Sequence, residues 1–99
     1  MTSLFEFKNS DRFNEIMEMC VKSDSTKIDE IIDNYHLTNE EKEEVLRQVK
    51  LYTDELFYHY AMYEISGLDE VPTIPRIMSL FDICYFFASH LLNEYMEAI

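Results

Sequence analysis

A single glycine, Gly67, and two prolines, Pro72 and Pro75, are the main turn punctuation in 99 residues. Sheet folds return on themselves through tight turns that call for Gly, Asn-Gly or Asp-Gly, and neither dipeptide occurs. A chain so poor in turn residues, and rich in Glu, Leu, Met and Lys, is expected to be all-α. Hydrophobic residues make up 47% of it, too many for a disordered chain. The length fits one domain spanning 1–99. Size scaling gives a folded surface of roughly 5,900 Å² against roughly 17,000 Å² unfolded, enough for one modest core without metal or disulfide.

Helical periodicity and caps divide the chain into four expected helices, about 11–22, 26–35, 39–66 and 75–97. Ser10 caps the first, whose apolar stripe is Phe13, Ile16, Met17, Cys20 and Val21. Ile28, Ile31, Ile32 and Tyr35 form the stripe of the second. Thr38 and Glu41 have the spacing of a capping box for the third, and Gly67 suits its end. Its expected core stripe is Val45, Leu46, Val49, Tyr52, Leu56, Tyr60 and Tyr63. Pro72 and Pro75 mark the loop before the fourth helix, and Pro75 fits a first helical turn. "SLFEFK" is expected as a short extended arm. The predicted architecture is a compact four-helix bundle, two short helices packed on a long antiparallel hairpin.

The stretch "LFDICYFFASHLL", residues 80–92, carries one full charge, Asp82. A helix that is apolar all round is buried all round, and so small a chain leaves apolar surface over. That surplus is expected to close a homodimer through Phe57, Tyr58, Met62, Phe86 and Phe87. Asp82, inside the hairpin, is expected to be satisfied by His59 or a Tyr hydroxyl, because a buried unpaired carboxylate is costly.

Charge is the other constraint. The formal net charge is −12, and Asp24 to Glu44 holds eight acids against Lys27 and Lys42. Averaged over the folded surface this is one net charge per roughly 500 Å², several-fold below duplex DNA with one per about 1.7 Å of axis. Nucleic-acid mimicry therefore requires the acids to gather on one face. The second and third helices resemble a helix-turn-helix, but the would-be recognition helix starts with glutamates, the wrong sign for phosphate. Direct binding to nucleic acid or to an acidic membrane is not expected. "NEEKEE" also suits a helix start on its own account, since the dipole stabilises acids in the first turn by about 0.3–1 kcal/mol each.

The chemistry-bearing motifs are missing. One glycine cannot build a phosphate loop; there is no G-x-S-x-G, HExxH or CxxC. Cys20 and Cys84 read as reduced, buried thiols, which suggests the cytoplasm. The N-terminal "MTSLFEFKNSDR" lacks an apolar signal region, and the apolar run from Ile77 to Leu92 is too short for a membrane span. Glu55/His59 and His90/Glu94 are helical i,i+4 pairs, but the hairpin register places His90 nearer Leu51 than Glu55. No cofactor, catalytic residue or metal site is assigned. The expected function is a non-enzymatic, protein-binding regulator or inhibitor. Its acidic face, Asp29, Glu30, Asp33, Glu40, Glu41, Glu43 and Glu44, would engage a basic, nucleic-acid-binding surface of a target protein. The alternative is a homo-oligomeric adaptor working through the apolar hairpin, and the weakest is a small enzyme dependent on a metal or on Asp82 and His59.

Overall fold

The computed structural model describes residues 4–98, and for Phe5 the backbone alone. It is all-helical. Among the described residues there are seven α-helices: α1 (Leu4–Lys8), α2 (Asp11–Lys22), α3 (Ile28–Asp33), α4 (Asn39–Tyr52), α5 (Glu55–Ser66), α6 (Ile74–Phe81) and α7 (Tyr85–Ala98). A 3₁₀ turn, Ser25–Lys27, leads into α3.

Three departures from the expected four rods have local causes. Leu4 to Lys8 is a helical turn, not an extended arm; Ser3 lies outside the described residues. So short a helix is marginal alone. It is held by Phe7, 3% exposed, whose ring meets Phe13 edge-on at 4.9 Å, and by the Ser10 hydroxyl, which donates to the Phe7 carbonyl at 2.7 Å. Ser10 then caps α2 by accepting from Phe13 N–H.

The expected helix 39–66 breaks after Tyr52. The Thr53 hydroxyl turns back on the carbonyls of Val49 and Lys50, both at 3.2 Å, a bond that competes with helix continuation. Asp54 then caps α5 by accepting from Leu56 N–H at 3.0 Å and Phe57 N–H at 3.4 Å. The break rotates the inner face. Ala61 and Ile65 are buried, with Phe57, Tyr58 and Met62 packed against the core. Leu56, Tyr60 and Tyr63, the expected core stripe, face outward instead.

The expected helix 75–97 breaks at Asp82, which sits in the left-handed region at φ 53°, ψ 51°. Asp and Asn are among the few side chains tolerated there. Thr73 caps α6, with Pro75 in its first turn.

One apolar core joins the pieces. Phe13, Ile16, Met17 and Cys20 of α2 meet Ile32, Val45, Ala61, Ile65, Ile77, Phe87, Ala88 and Leu91. α6 lies against α7, α2 against α3, α4 and α7, and α5 against α4 and α7. The rings of His90 and Tyr52 meet at a tilt, their centres 4.9 Å apart. The molecule measures 42 × 31 × 17 Å. Its surface, 6608 Å², exceeds the roughly 5,900 Å² of size scaling.

Candidate functional site

The densest polar arrangement lies where α1, α4 and the α6–α7 break converge. Glu44, Arg47 and Gln48 project from α4 at i, i+3 and i+4, one helix face. Glu44 is 8% exposed and Gln48 fully buried. Arg47 donates to both Glu44 oxygens, at 2.6 Å (Nη2) and 3.2 Å (Nε). Gln48 Nε2 donates to Glu44 Oε1 at 2.8 Å and to the Asp82 carbonyl at 3.4 Å. Gln48 Oε1 accepts from Cys84 N–H at 3.2 Å, just ahead of α7. Arg47 Nη2 also reaches the Asp82 carbonyl at 2.8 Å. Lys8, at the end of α1, lies 2.9 Å from the Asp82 carboxylate and 3.5 Å from Glu44.

Two expectations are corrected here. Asp82 is not a buried acid beside His59: its carboxylate is 80% exposed and pairs with Lys8, with Arg47 at 3.5 Å. His59 is exposed on α5, its ring against that of Tyr58. The left-handed residue at the break turns the Asp82 side chain out toward α1. Glu44, expected on the acidic face, is turned inward, because the helix face that carries Val45 and Val49 into the core carries Glu44 and Gln48 beside them.

The electrostatics follow from this packing. Burial alone would raise the Glu44 carboxyl, but hydrogen bonds from Arg47 and Gln48 and the charge of Lys8 outweigh it and hold the group below the usual carboxylate range. The Lys8 hydrogen bond holds Asp82 below that range too. Burial pushes the Cys84 thiol up to about 11 and raises Cys20 as well; both are free and buried. At neutral pH the node holds ionised, paired carboxylates and a protonated thiol. Its geometry fastens α1 and the bent α6–α7 unit to α4.

One hollow borders the node and another lies along α7. The first, of about 620 Å³, is lined by Lys8, Pro75, Met78, Asp82, Ile83 and Tyr85, among others. A shallower one of about 310 Å³ is lined by Asn14, Tyr85, Phe86, Ser89, His90 and Asn93, and Asn14 Oδ1 is buried there without a hydrogen-bond partner. Among the described residues no three His, Cys, Asp or Glu side chains gather as a metal site requires, and no helix is long and apolar enough to cross a membrane.

The remaining expected acids fall along α3 and the first turns of α4. Lys42 Nζ bridges the two helices, 3.4 Å from Asp33. Glu41 completes the capping box: its carboxylate accepts from Thr38 N–H, while Thr38 Oγ1 accepts from Glu41 N–H. Asp29, Glu30, Glu40 and Glu43 are exposed. The five expected interface residues turn inward. Phe87 is buried, and Phe57, Tyr58, Met62 and Phe86 pack half-buried against the core; Phe57 meets Phe81 and Phe87, and Phe86 meets Tyr52.

Sequence reasoning missed Lys8, Arg47 and Gln48. A signal was present: Gln48 interrupts the Val45–Val49 stripe, and a polar residue inside a core stripe implies a buried partner. Comparison with known proteins gives no match: no family model, curated protein or solved structure is significantly similar to this chain.

Proposed function

We propose that this chain is a non-enzymatic protein-binding regulator, an inhibitor in its simplest form, whose acidic face engages a basic surface of a target protein. The observation that carries this is the run of exposed acids along α3 and the first turns of α4. Asp29, Glu30, Glu40 and Glu43 have no Lys or Arg paired with them among the described residues. Two cations share this stretch, Lys42 on Asp33 and the exposed Lys27 just ahead of α3, while Lys8 and Arg47 are engaged in the internal node and Lys22 on Glu18. The acids of α3 and the first half of α4 outnumber those two cations, so the stretch stays negative. Unneutralised charge of one sign steers association with an opposite surface and makes it salt-sensitive. A target whose basic surface ordinarily holds nucleic acid fits this reading best, with the acids standing in for phosphates.

The test is affinity capture from a nuclease-treated lysate, eluted by a salt gradient, with wild type beside Glu40→Lys/Glu43→Lys. Both side chains are exposed, so the variant should keep its Tm within a few degrees. A basic partner released at moderate salt, displaced by added DNA or RNA and lost on charge reversal supports the reading. A partner retained equally by the charge-reversed protein refutes it.

A further inference from the structure

The outward face of α5 is apolar and uncovered. Leu56 is 81% exposed, Tyr60 54% and Tyr63 76%. They recur at i, i+4 and i+7, one stripe two turns long, or about 10 Å. The opposite side of the same helix, Ala61 and Ile65, is fully buried. Tyr60 touches Phe57 and Phe81, so the stripe is rooted on a packed aromatic base. At these exposures the three side chains offer about 400 Å² of surface, the size of patch that on a monomer is often functional.

Charge selects the occupant. Glu55 and Glu64 lie roughly 90° to either side of the stripe around the helix, and both are exposed. From Leu51 to Pro75 there is no Lys or Arg, while Asp54, Glu55, Glu64, Asp69 and Glu70 are all acids. A second copy of this chain would set acid against acid along the rim. The area also falls well short of the roughly 800 Å² per partner of a standard stable interface, but suits a single helix laid across the stripe. We infer that the α5 face is a docking site for an amphipathic helix of another protein, with apolar residues at i, i+4 and i+7 and Lys or Arg along its edges. This site is separate from the acidic face of α3 and α4 and is argued from different residues.

The test measures binding of a synthetic helical peptide of about 18 residues, a length at which an isolated helix becomes stable. It carries Leu at i, i+4 and i+7 with flanking Lys, and is followed by fluorescence anisotropy. Leu56→Ser/Tyr63→Ser keeps the charge and removes the apolar contact; it should weaken binding about tenfold or more while leaving Tm unchanged. Glu55→Gln/Glu64→Gln should weaken it several-fold and flatten its salt dependence. Glu40→Gln/Glu43→Gln, on the other face, should change nothing. The inference is overturned if the α3–α4 variant loses binding while the α5 variants keep it. Equal binding of a peptide with Glu in place of every Lys also overturns it. So does sedimentation of the wild type as a dimer that Leu56→Ser/Tyr63→Ser dissociates, which would make a second copy the occupant.

Discussion

Replacing Gln48 with Leu tests whether the bend between α6 and α7 is imposed from α4. Leu is close in volume and apolar, so the packing changes little while both hydrogen-bonding functions go. The Cys84 N–H, which Gln48 accepts at 3.2 Å, is left buried without a partner, at about 1–3 kcal/mol. Glu44 loses the 2.8 Å bond from Nε2 but keeps Arg47 at 2.6 Å, so this loss is nearer about 1 kcal/mol. Added apolar burial returns about 1 kcal/mol. The net cost is about 1–3 kcal/mol. For a domain of 99 residues the unfolding entropy is roughly 0.2 kcal/mol/K, so Tm should fall by about 5–15 °C. Thermal unfolding by circular dichroism measures the shift, and hydrogen exchange locates it. The Cys84 amide should be protected in the wild type and exchange early in the variant. A Tm within about 3 °C of wild type, with Cys84 still protected, would mean that the left-handed Asp82 alone sets the bend. Gln48→Glu adds a sharper check. It places a second carboxyl beside Glu44, and the neighbouring negative charge raises the introduced group's pKa in the folded state. Its deficit relative to wild type should therefore be small in acid and grow as pH rises through that raised value.

Acid should destabilise the wild type in a defined window. Glu44 and Asp82 both have folded pKa values below the ordinary range, so their contribution is full above about pH 5 and lost as pH falls through those values; urea midpoints measured from pH 7 to pH 3 should drop, and Lys8→Met should blunt the drop. Both thiols are buried and raised, Cys84 to about 11, so a thiol reagent at neutral pH should label the native protein slowly and the unfolded protein at two cysteines per chain. At Asp82, with φ 53°, Gly should cost less than Val: it relieves the left-handed strain, although it leaves the largely buried Lys8 with Glu44, at 3.5 Å, as its remaining carboxylate. Val, β-branched and unsuited to that region, should cost more than about 2 kcal/mol, and chemical denaturation separates the two.

The parts of this fold that local chemistry dictates were legible in the chain. Ser10, and Thr38 with Glu41, each cap a helix through atoms within three residues, Pro75 lies in the first turn of α6, and the α2 stripe Phe13, Ile16, Met17 and Cys20 is buried as its spacing predicts. The breaks were harder, for two different reasons. At Thr53-Asp54 the signal is local, a hydroxyl able to bond back and an Asp able to cap, but Tyr52, Leu56, Tyr60 and Tyr63 continue the preceding stripe so regularly that periodicity outweighs it. At Asp82 no local signal suffices. The contacts that hold the bend are long-range: Gln48, 36 residues earlier, accepts from the Cys84 N–H, and Lys8, 74 residues earlier, donates to the Asp82 carboxylate. The same distinction governs the candidate surfaces. Which acids exist is written in the sequence, but which are left unneutralised depends on where Lys8, Arg47 and Lys42 find their partners, and Glu44 leaves the acidic face through such a contact. The rotation of α5 exchanges its two apolar faces, placing Phe57 and Tyr58 inside and Leu56 and Tyr63 outside. A helix with apolar residues on two sides, as α5 has, gives no internal indication of which side is turned to solvent; the restart capped by Asp54 turns Phe57 and Tyr58 inward and leaves Leu56 and Tyr63 outside.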